Sequence, residues 1–415
     1  MADEHSVRVL SYVAVGHSLS HAFLLFYPTV VLALSDEFAM SYDQLLPLSL
    51  GAFIMYGLGA LPAGWLGDRW SAKGMLVLMF IGMGAGAFVT GMATGPLGII
   101  IGLSIIGLFG SIYHPVGIAT VVRYAVNRGK ALGINGIFGG LGMASAAAVA
   151  GALTEWVHWR AAFFVPGGLS ILIGLLFIWH VPKFKEAGAG KSEEENQGAV
   201  IRQIIPVLAI LIGSSICIGT VYQATSISMP KLLATRVDFA ANSVFITGML
   251  VSGIYVVGAF GQYFGGTLAD KLNLKRLYVL GFALQAPFLF LIAITSGTAL
   301  LPFALLSVLL SLGIQPISDS LLAHSVPVRW HATAYGARFV ASLGVSAAAV
   351  PLIASIYQST GDFFWLFVIL AALAIVATLL ALFLPYEHSA GEKSLPSGQS
   401  IDQERIDEMR QQSGD

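Results

Sequence analysis

The chain has 415 residues, of which only 10% are Asp, Glu, Lys or Arg, against about 25% in soluble domains. Hydrophobic residues make up 56% of the chain, and its mean hydropathy is +0.81. A soluble globular fold of this size is excluded, because too few polar residues are available to cover its surface. The net charge of −1 gives no signal for nucleic-acid binding, and the single cysteine, Cys217, excludes a disulfide framework.

Stretches long enough to cross a bilayer follow one another along the chain. Residues 74–122, for example, contain no Asp, Glu, Lys or Arg and can hold two spans of about 20 residues each. The hydropathy pattern predicts an all-α, polytopic membrane protein with twelve transmembrane helices. Their predicted ranges are 7–34, 44–67, 74–93, 97–122, 130–153, 159–181, 202–232, 241–268, 275–295, 299–323, 333–357 and 362–385.

Basic residues predict the orientation, and polar segments predict the domain boundaries. Lys and Arg cluster on the side that holds both termini, whereas the other side receives only Arg160, Lys231 and Arg236. The positive-inside rule therefore predicts a multi-pass protein of the cell inner membrane with both termini in the cytoplasm. We predict six-helix bundles at 1–181 and 202–385, a cytoplasmic central loop at 182–201 and a cytoplasmic tail at 386–415.

A short motif occurs at corresponding points of the two halves. After predicted helix 2 the chain reads Gly-Trp-Leu-Gly-Asp-Arg at 64–69, and after predicted helix 8 it reads Gly-Thr-Leu-Ala-Asp-Lys at 266–271. A basic residue follows each copy at the same spacing, Lys73 and Lys275. A second, less exact repeat follows predicted helices 4 and 10, at Arg128 and Arg329. The repeat indicates two pseudo-symmetric halves.

The paired motif resembles the loop 2–3 signature of the major facilitator superfamily, with Ser71 and Asn273 where the family usually has a further Gly. Helix 4 carries Ser-Ile-Tyr-His-Pro at 111–115, which is similar to helix 4 of the fosmidomycin-resistance-like branch. The resemblance implies the major facilitator fold, in which two six-helix bundles rock about a central cavity lined by helices 1, 4, 7 and 10. It also implies that the protein works as a monomer.

The carboxylates of the repeated motif are candidates for gating. A carboxylate at a helix end can accept hydrogen bonds from the free N–H groups at the N-terminus of a neighbouring helix. We interpret Asp68 and Asp270 as latches, because such a contact breaks when the halves rock apart. The alternative is that they only pair with nearby Arg or Lys and fix the topology. The predicted gating residues are Gly64, Asp68, Arg69, Lys73, Arg128, Asp270 and Lys271.

Three histidines lie in predicted spans, where an ionisable group costs about 2.5–3.5 kcal/mol and indicates function. His17 and His21 share one face of helix 1, and His114 precedes Pro115, which frees a carbonyl and bends helix 4. Either the histidines exchange protons during transport, or they are neutral and hold neighbouring helices together. A His-x-x-x-His pair can also bind zinc, but helix 1 has no nearby Asp, Glu or Cys, so we expect no metal.

Asp319 and Arg338 are the other ionisable candidates, on helices 10 and 11. They lie at similar predicted depth, and an ion pair would reduce the cost of burying both. In one interpretation they form a structural pair or gate. In the other, Arg338 binds an anionic substrate while Asp319 takes a proton.

Helices 7 and 10 are interrupted by proline and carry amides and hydroxyls, as is common at transporter sites. The candidates are Tyr222 and Gln223 before Pro230, and Gln315 before Pro316. The alternative for each is hydrogen bonding between helices. The full set of candidate substrate or proton residues is His17, His21, His114, Tyr222, Gln223, Gln315, Asp319 and Arg338.

These features predict a secondary active transporter that moves a small organic solute through the lipid bilayer by alternating access. The sequence has no Gly-x-x-x-x-Gly-Lys-Ser/Thr phosphate loop, so ATP is not the expected energy source. We expect proton coupling, no cofactor and no enzymatic activity, because no nucleophile–base or metal pair occurs at suitable spacing. Efflux is the first hypothesis and uptake of an organic acid resembling a monocarboxylate the second. A transporter-like sensor is a remote alternative.

Overall fold

The computed structural model describes residues 4–126, 128–181, 184, 197–326, 338, 340–342, 344–345 and 347–385, with side chains described except at 128–130 and 197–204. All regular structure in these residues is helical. The main elements are α1 (Glu4–Ala33), α2 (Tyr42–Arg69), α3 (Ala72–Gly91), α4 (Pro96–Tyr124), α5 (Arg128–Trp156), α6 (Ala161–His180), α7 (Gln197–Arg236), α8 (Val244–Ala269), α9 (Leu274–Ile294), α10 (Gly297–Ser325), α11 (Ala349–Thr360) and α12 (Phe364–Leu382).

The predicted all-α membrane fold of twelve helices is confirmed. In the described part of the chain, eleven helices are long and apolar enough to cross a membrane. The shorter α11 follows a turn at residues 347–348, and helical residues at 338, 340–342 and 344–345 precede that turn. The helix α7 begins at Gln197, inside the predicted central loop, rather than at residue 202. Most of the predicted loop and the whole predicted tail lie outside the described residues.

The helices pack in matching pairs within each half. In the first half α1 packs on α5, α2 on α4 and α3 on α6. In the second half α7 packs on α11, α8 on α10 and α9 on α12. Glycines allow close backbone contact at matching pairs: a Cβ on Gly107 would lie 2.0 Å from the Ala52 carbonyl oxygen, and one on Gly265 would lie 2.0 Å from the Gly313 carbonyl oxygen. Small residues at such contacts let membrane helices approach each other.

We call the end of the bundle that holds Glu4 and His180 the terminal end, and the end that holds Glu37 and Asp362 the distal end. At the distal end of the first half, Arg160 donates to Glu37 at 2.7 Å and to the Ala93 carbonyl after α3 at 3.0 Å. Arg160 thus joins three distal segments of the first half.

Arg236 plays the corresponding part in the second half. It donates to both carboxylate oxygens of Asp362, at 2.7 and 2.9 Å, and to the carbonyl oxygens of Ile292 and Ala293 at the end of α9. Bidentate arginine–carboxylate pairs combine strength with fixed geometry. The two arginines that the sequence placed on the side away from the termini therefore hold the distal ends of their own bundles.

Replacing Glu37 by Gln is expected to lower the unfolding temperature at neutral pH but not in acid. Partial burial alone would raise the pKa of Glu37, but hydrogen bonds from Trp159 and Arg160 and the Arg160 charge outweigh it, so its pKa lies below the ordinary 4.5. A lowered pKa stabilises the fold above about pH 4.5, and this contribution is lost as pH falls through the folded-state pKa. Thermal unfolding from about pH 3 to 7 measures the difference. A gap between wild type and variant that stays constant over this range would contradict the assignment.

The two halves meet mainly along α5 and α8, and these helices diverge toward the terminal end. A Cβ on Gly151, near the distal end, would lie 2.5 Å from the Val244 carbonyl oxygen. A Cβ on Gly140 would lie 3.4 Å from the nearest α8 atom, and one on Gly136 would lie 3.7 Å from it. A Cβ on Gly133 would have no described atom within 4 Å. Along α5 and α8, the described parts of the two halves are therefore in contact near the distal end and farther apart toward the terminal end.

Contacts between the halves reinforce the distal closure. The rings of Tyr42 on α2 and Tyr357 on α11 lie 5.1 Å apart, and the Lys231 ammonium of α7 lies 5.4 and 5.7 Å from them. Glu155 of α5 accepts a hydrogen bond from the Phe245 backbone N–H at 2.8 Å, at the start of α8. A carboxylate there satisfies free N–H groups of the helix N-terminus.

Candidate functional site

Three histidines from two helices meet inside the first half. The Nε2 atoms of His17 and His21, one turn apart on α1, are separated by 3.2 Å. The ring centroid of His114 on α4 lies 5.6 Å from that of His17 and 5.4 Å from that of His21. One ligand atom from each ring lies within 4.8 Å of the others. We call these three residues the histidine cluster.

Local structure explains why the three rings converge. His17 and His21 are four residues apart, so they project from one face of α1. Residues Tyr113–Gly117 of α4 form a π turn around Pro115, which has no N–H for a regular helical bond. The interruption that the sequence predicts at this point is therefore found, and π turns of this kind occur often at functional sites.

His17 is the anchored member of the cluster. Its Nδ1 lies 2.7 Å from the Asn135 carbonyl oxygen of α5, which can only accept, so Nδ1 carries a hydrogen. Tyr113 stacks on the His17 ring at 4.5 Å and donates to the Asn135 side chain at 2.6 Å. A Cβ on Gly139 would lie 2.6 Å from the His17 ring, so glycine is required there. Sequence reasoning missed the role of Asn135, because no sequence signal places helix 5 against this face of helix 1.

The α7 candidates lie near the contact between the halves. The Tyr222 hydroxyl donates to the Met143 sulfur of α5, so this side chain bridges the two halves. Ser226, one turn later, shares a hydrogen bond of 2.5 Å with the Tyr255 hydroxyl of α8. Gln223 is only 8% exposed. These contacts fit the alternative interpretation, hydrogen bonding between helices, as well as a role in binding.

Two members of the histidine cluster have glutamine counterparts in the second half. His21 precedes a proline of α1 by seven residues, and a glutamine of α7 precedes its proline by seven residues. His114 directly precedes a proline, as does the half-buried glutamine of α10. The matched positions are His21 with Gln223, His114 with Gln315, Pro28 with Pro230, and Pro115 with Pro316. At these matched positions the first half therefore has titratable side chains, whereas the second half has neutral amides.

Asp319 and Arg338 are in contact. The Arg338 Nη1 lies 2.8 Å from Asp319 Oδ1, with side-chain exposures of 13% for Arg338 and 52% for Asp319. The contact was one of the two geometries expected from the sequence. The role of the pair as a gate or as part of a binding site stays a prediction.

Replacing Asp319 by Asn is expected to destabilise the protein more than replacing Arg338 by Gln. The first change leaves a mostly buried guanidinium without its carboxylate, whereas the second leaves a half-exposed carboxylate that water can solvate. We expect a loss of about 3 kcal/mol for Asp319→Asn and of about 1 kcal/mol or less for Arg338→Gln. Thermal unfolding of both variants measures the order, and equal losses, or the reverse order, would contradict it.

The predicted gating residues lie at the terminal end. Asp68 and Asp270 are exposed, and within the described part of the chain neither makes a hydrogen bond or an ion pair. Gly64 packs against α4, with a Cβ there 3.2 Å from Pro115. Lys73 reaches the Ile178 carbonyl of α6 at 3.4 Å.

The remaining gating candidates differ in how far the structure describes them. The Arg69 guanidinium lies 4.6 Å from the centre of the Trp65 ring. Lys271 is exposed directly after α8. The side chain of Arg128 lies outside the described residues. Lys275, the counterpart of Lys73, reaches the carbonyl of Leu384 and so caps the end of α12, as Lys73 caps α6.

Helices that pack in matching pairs in two halves, with polar groups in their interior, are the architecture of a multi-pass membrane protein. The family model for the Major Facilitator Superfamily matches residues 13–349 and 216–407. The chain therefore belongs to the major facilitator superfamily. Members of this family are secondary transporters of small solutes, and this function follows for the chain in general terms.

Three curated relatives are similar in sequence. The chain is 28% identical over 229 residues to the 4-hydroxybenzoate transporter PcaK of Pseudomonas putida; the match covers 54% of this chain and 47% of that protein, about half its length. It is 26% identical to the multi-drug resistance efflux pump PmrA homolog of Lactococcus lactis, covering 65% and 68%. It is 22% identical to the nitrite extrusion protein of Bacillus subtilis, covering 86% and 87%.

Solved structures show the same fold. A D-xylose–proton symporter superposes with a TM-score of 0.74 at 15% identity, covering 93% of this chain and 99% of that one. A bacterial homolog of the human lysosomal transporter Spinster, inward-facing and occupied, gives a TM-score of 0.72 at 16% identity, covering 92% and 95%. At these identities the likeness concerns the fold.

Proposed function

We propose that the protein couples solute transport to protons by alternating access and that the histidine cluster carries the proton. The observation that carries this proposal is the 3.2 Å contact between the Nε2 atoms of His17 and His21. His17 already directs its Nδ1 hydrogen to Asn135, so in the neutral pair the hydrogen between the two Nε2 atoms belongs to His21. A neutral imidazole has one donor and one acceptor nitrogen, so neighbouring rings can take up a proton and pass it on.

The orientation that we propose puts both termini in the cytoplasm and the protein in the cell inner membrane. The distribution of Lys and Arg supports this orientation. In this proposal the terminal end faces the cytoplasm, and the conformation is inward-open with its distal end closed. The exposed Asp68 and Asp270 fit released latches, which we propose to engage when the terminal end closes.

Proton-driven efflux of a small polar organic compound is the direction that we propose. The His-Pro element of helix 4 supports it through its similarity to the fosmidomycin-resistance-like branch. Two of the similar proteins are named as an efflux pump and an extrusion protein. Each cycle would admit protons through the open distal end and release them at the terminal end.

Uptake of an organic acid is the second candidate, and similarity to a 4-hydroxybenzoate transporter favours it. In this case Arg338 or a protonated histidine would bind the carboxylate. Export and uptake use the same fold and the same proton site, so they differ in the substrate and in the direction of the measured flux.

Ligand binding is tested first by thermal unfolding of the purified protein at about pH 5.5 and pH 7.5, on either side of the ordinary imidazole pKa of about 6.5. The panel contains phosphonates, carboxylates, sugars and cationic drugs. A ligand at 100 times its Kd adds about 2.7 kcal/mol to the stability of the native state. Stabilisation by an anion class supports a proton-linked anion carrier, whereas stabilisation by cations or sugars alone would exclude anion transport.

Direction is then measured in proteoliposomes of known orientation. A pH gradient is imposed, and movement of the stabilising solute is followed with and without an ionophore that collapses it. Accumulation on the acidic side supports proton exchange and efflux. Accumulation on the alkaline side supports symport and uptake, and a flux that does not respond to the gradient would refute proton coupling.

A further inference from the structure

We infer that the histidine cluster is also a binding site for one divalent transition-metal ion of the Zn²⁺ class, held by His17, His21 and His114. The inference deepens the proposed function in one respect, because a bound ion would block the proton exchange proposed for the same residues. The binding itself does not depend on proton coupling and can be measured separately.

Ring positions match those of three histidines around one tetrahedral ion. With Zn–N bonds of about 2.0–2.1 Å, neighbouring ligand nitrogens lie about 3.4 Å apart and neighbouring ring centres about 5 Å apart. The Nε2 atoms of His17 and His21 are 3.2 Å apart. The three centroid distances are 5.0, 5.4 and 5.6 Å. All three ligand atoms lie within 4.8 Å of one another. Side-chain rotations that move these nitrogens by about 1–1.5 Å would bring them to the spacing of a tetrahedral site.

His17 already has the hydrogen-bond arrangement of a metal ligand. Histidines that bind metals usually donate the other ring N–H to a carbonyl or carboxylate, which fixes the tautomer and the ring orientation. The Asn135 carbonyl accepts from His17 Nδ1 at 2.7 Å, Tyr113 stacks on the ring, and Gly139 leaves space for it. The lone pair of Nε2 is thereby directed at the centre of the cluster.

The ligand set selects the class of ion. Three imidazole nitrogens suit Zn²⁺, Co²⁺, Ni²⁺ and Cu²⁺, whereas Mg²⁺ and Ca²⁺ require oxygen ligands. Helix 1 by itself lacks a further ligand, which is why no metal was expected from the sequence. The fold supplies the missing ligand from α4, as His114. The corresponding positions of the second half, Gln223 and Gln315, are amides, so the site belongs to one half.

Protons compete with the ion, because each ligand nitrogen must be unprotonated to bind. Among the described residues, the other titratable side chains in ring contact with the cluster are tyrosines. Tyr113 stacks on His17, and the Tyr56 ring lies 6.0 Å from His114.

Metal titration of the full-length protein, freed of any histidine tag and stripped with a chelator, tests the inference. CoCl₂ is added and the visible absorption of four-coordinate Co²⁺ is recorded. ZnCl₂ is then added to displace it, and calorimetry gives the stoichiometry. We expect one ion per chain and a loss of affinity of at least tenfold in His21→Ala and in His114→Gln. His324→Ala, which changes an exposed histidine at the end of α10, is the matched control.

The contacts that position His17 are tested by Gly139→Ala, whose Cβ would collide with the His17 ring. The control is Gly133→Ala, whose Cβ would enter open space on the same helix. Loss of a supporting contact costs about 10–100-fold in metal affinity, so Gly139→Ala should bind weakly and Gly133→Ala normally. Zn²⁺ should also raise the unfolding temperature of the wild type. Absence of saturable binding, or equal affinity in His21→Ala and wild type, would overturn the inference. Flux assays in chelator report on proton coupling alone.

Discussion

Replacing His114 by glutamine is expected to abolish proton-driven accumulation of solute while leaving the fold intact. The corresponding position of the second half is Gln315, which directly precedes a proline on α10, as His114 does on α4. It retains hydrogen-bonding groups, but it cannot carry a proton. Coupling free energies of about 1–3 kcal/mol correspond to factors of about 5–150 in an equilibrium ratio, and we expect the solute accumulation ratio to fall by a factor in this range.

The informative readout separates coupling from binding. Exchange of labelled solute across a membrane without a pH gradient requires the conformational cycle but no net proton movement. The His114→Gln variant should retain this exchange and lose accumulation against a gradient. Gln315→Ala, the matched change in the second half, should keep its response to the gradient. Accumulation by His114→Gln at the wild-type level would exclude this residue from the proton site.

Replacing Gly248 by alanine is expected to open the distal end. A Cβ at Gly248 would lie 2.2 Å from the carbonyl oxygen of Ala147, a backbone atom of the opposite half, so α5 and α8 must separate. Overpacking of this kind costs about 1–3 kcal/mol. The closed state should lose that amount relative to a state with the distal end open, which shifts the ratio of the two states by a factor of about 5–150.

A single reporter cysteine measures the shift. Cys217 is the only cysteine of the chain, so a Cys217→Ala background allows Tyr42→Cys to be labelled alone. Tyr42 is 5% exposed in the distal closure, and its reaction with an impermeant maleimide should accelerate in Gly248→Ala. Gly253→Ala is the control, since a Cβ there meets no atom within 4 Å. Equal labelling rates in the two alanine variants would mean that α5 and α8 do not set the closure.

The architecture could be predicted because the bilayer requires each segment that crosses it to be a long apolar helix. Twelve apolar stretches, two copies of one motif and the polar centre of the chain lead to twelve helices in two halves. The boundaries differ at α7, which begins at Gln197 rather than at residue 202. A further helical turn forms readily once a long helix has nucleated it, and a hydropathy window that locates the span does not detect such extensions.

The candidate site could be predicted only in part. Spacing along one helix brought His17 and His21 together, and Pro115 marked the interruption beside His114. That the three rings meet depends on how α1 and α4 are packed, which no local pattern encodes. The internal repeat could have shown that His21 and His114 correspond to Gln223 and Gln315. The supporting role of Asn135 depends on the contact between α1 and α5, so it required the structure.

Simultaneous recording of solute and proton fluxes tests the central claim most directly. Wild-type protein is reconstituted with a pH indicator inside the vesicles, and the stabilising solute is added in chelator-containing buffer with no initial pH gradient. We predict that solute movement changes the internal pH at once, with a constant ratio of protons to solute. Solute movement with no pH change, at a rate unaffected by an imposed gradient, would contradict the proposal that the histidine cluster couples transport to protons.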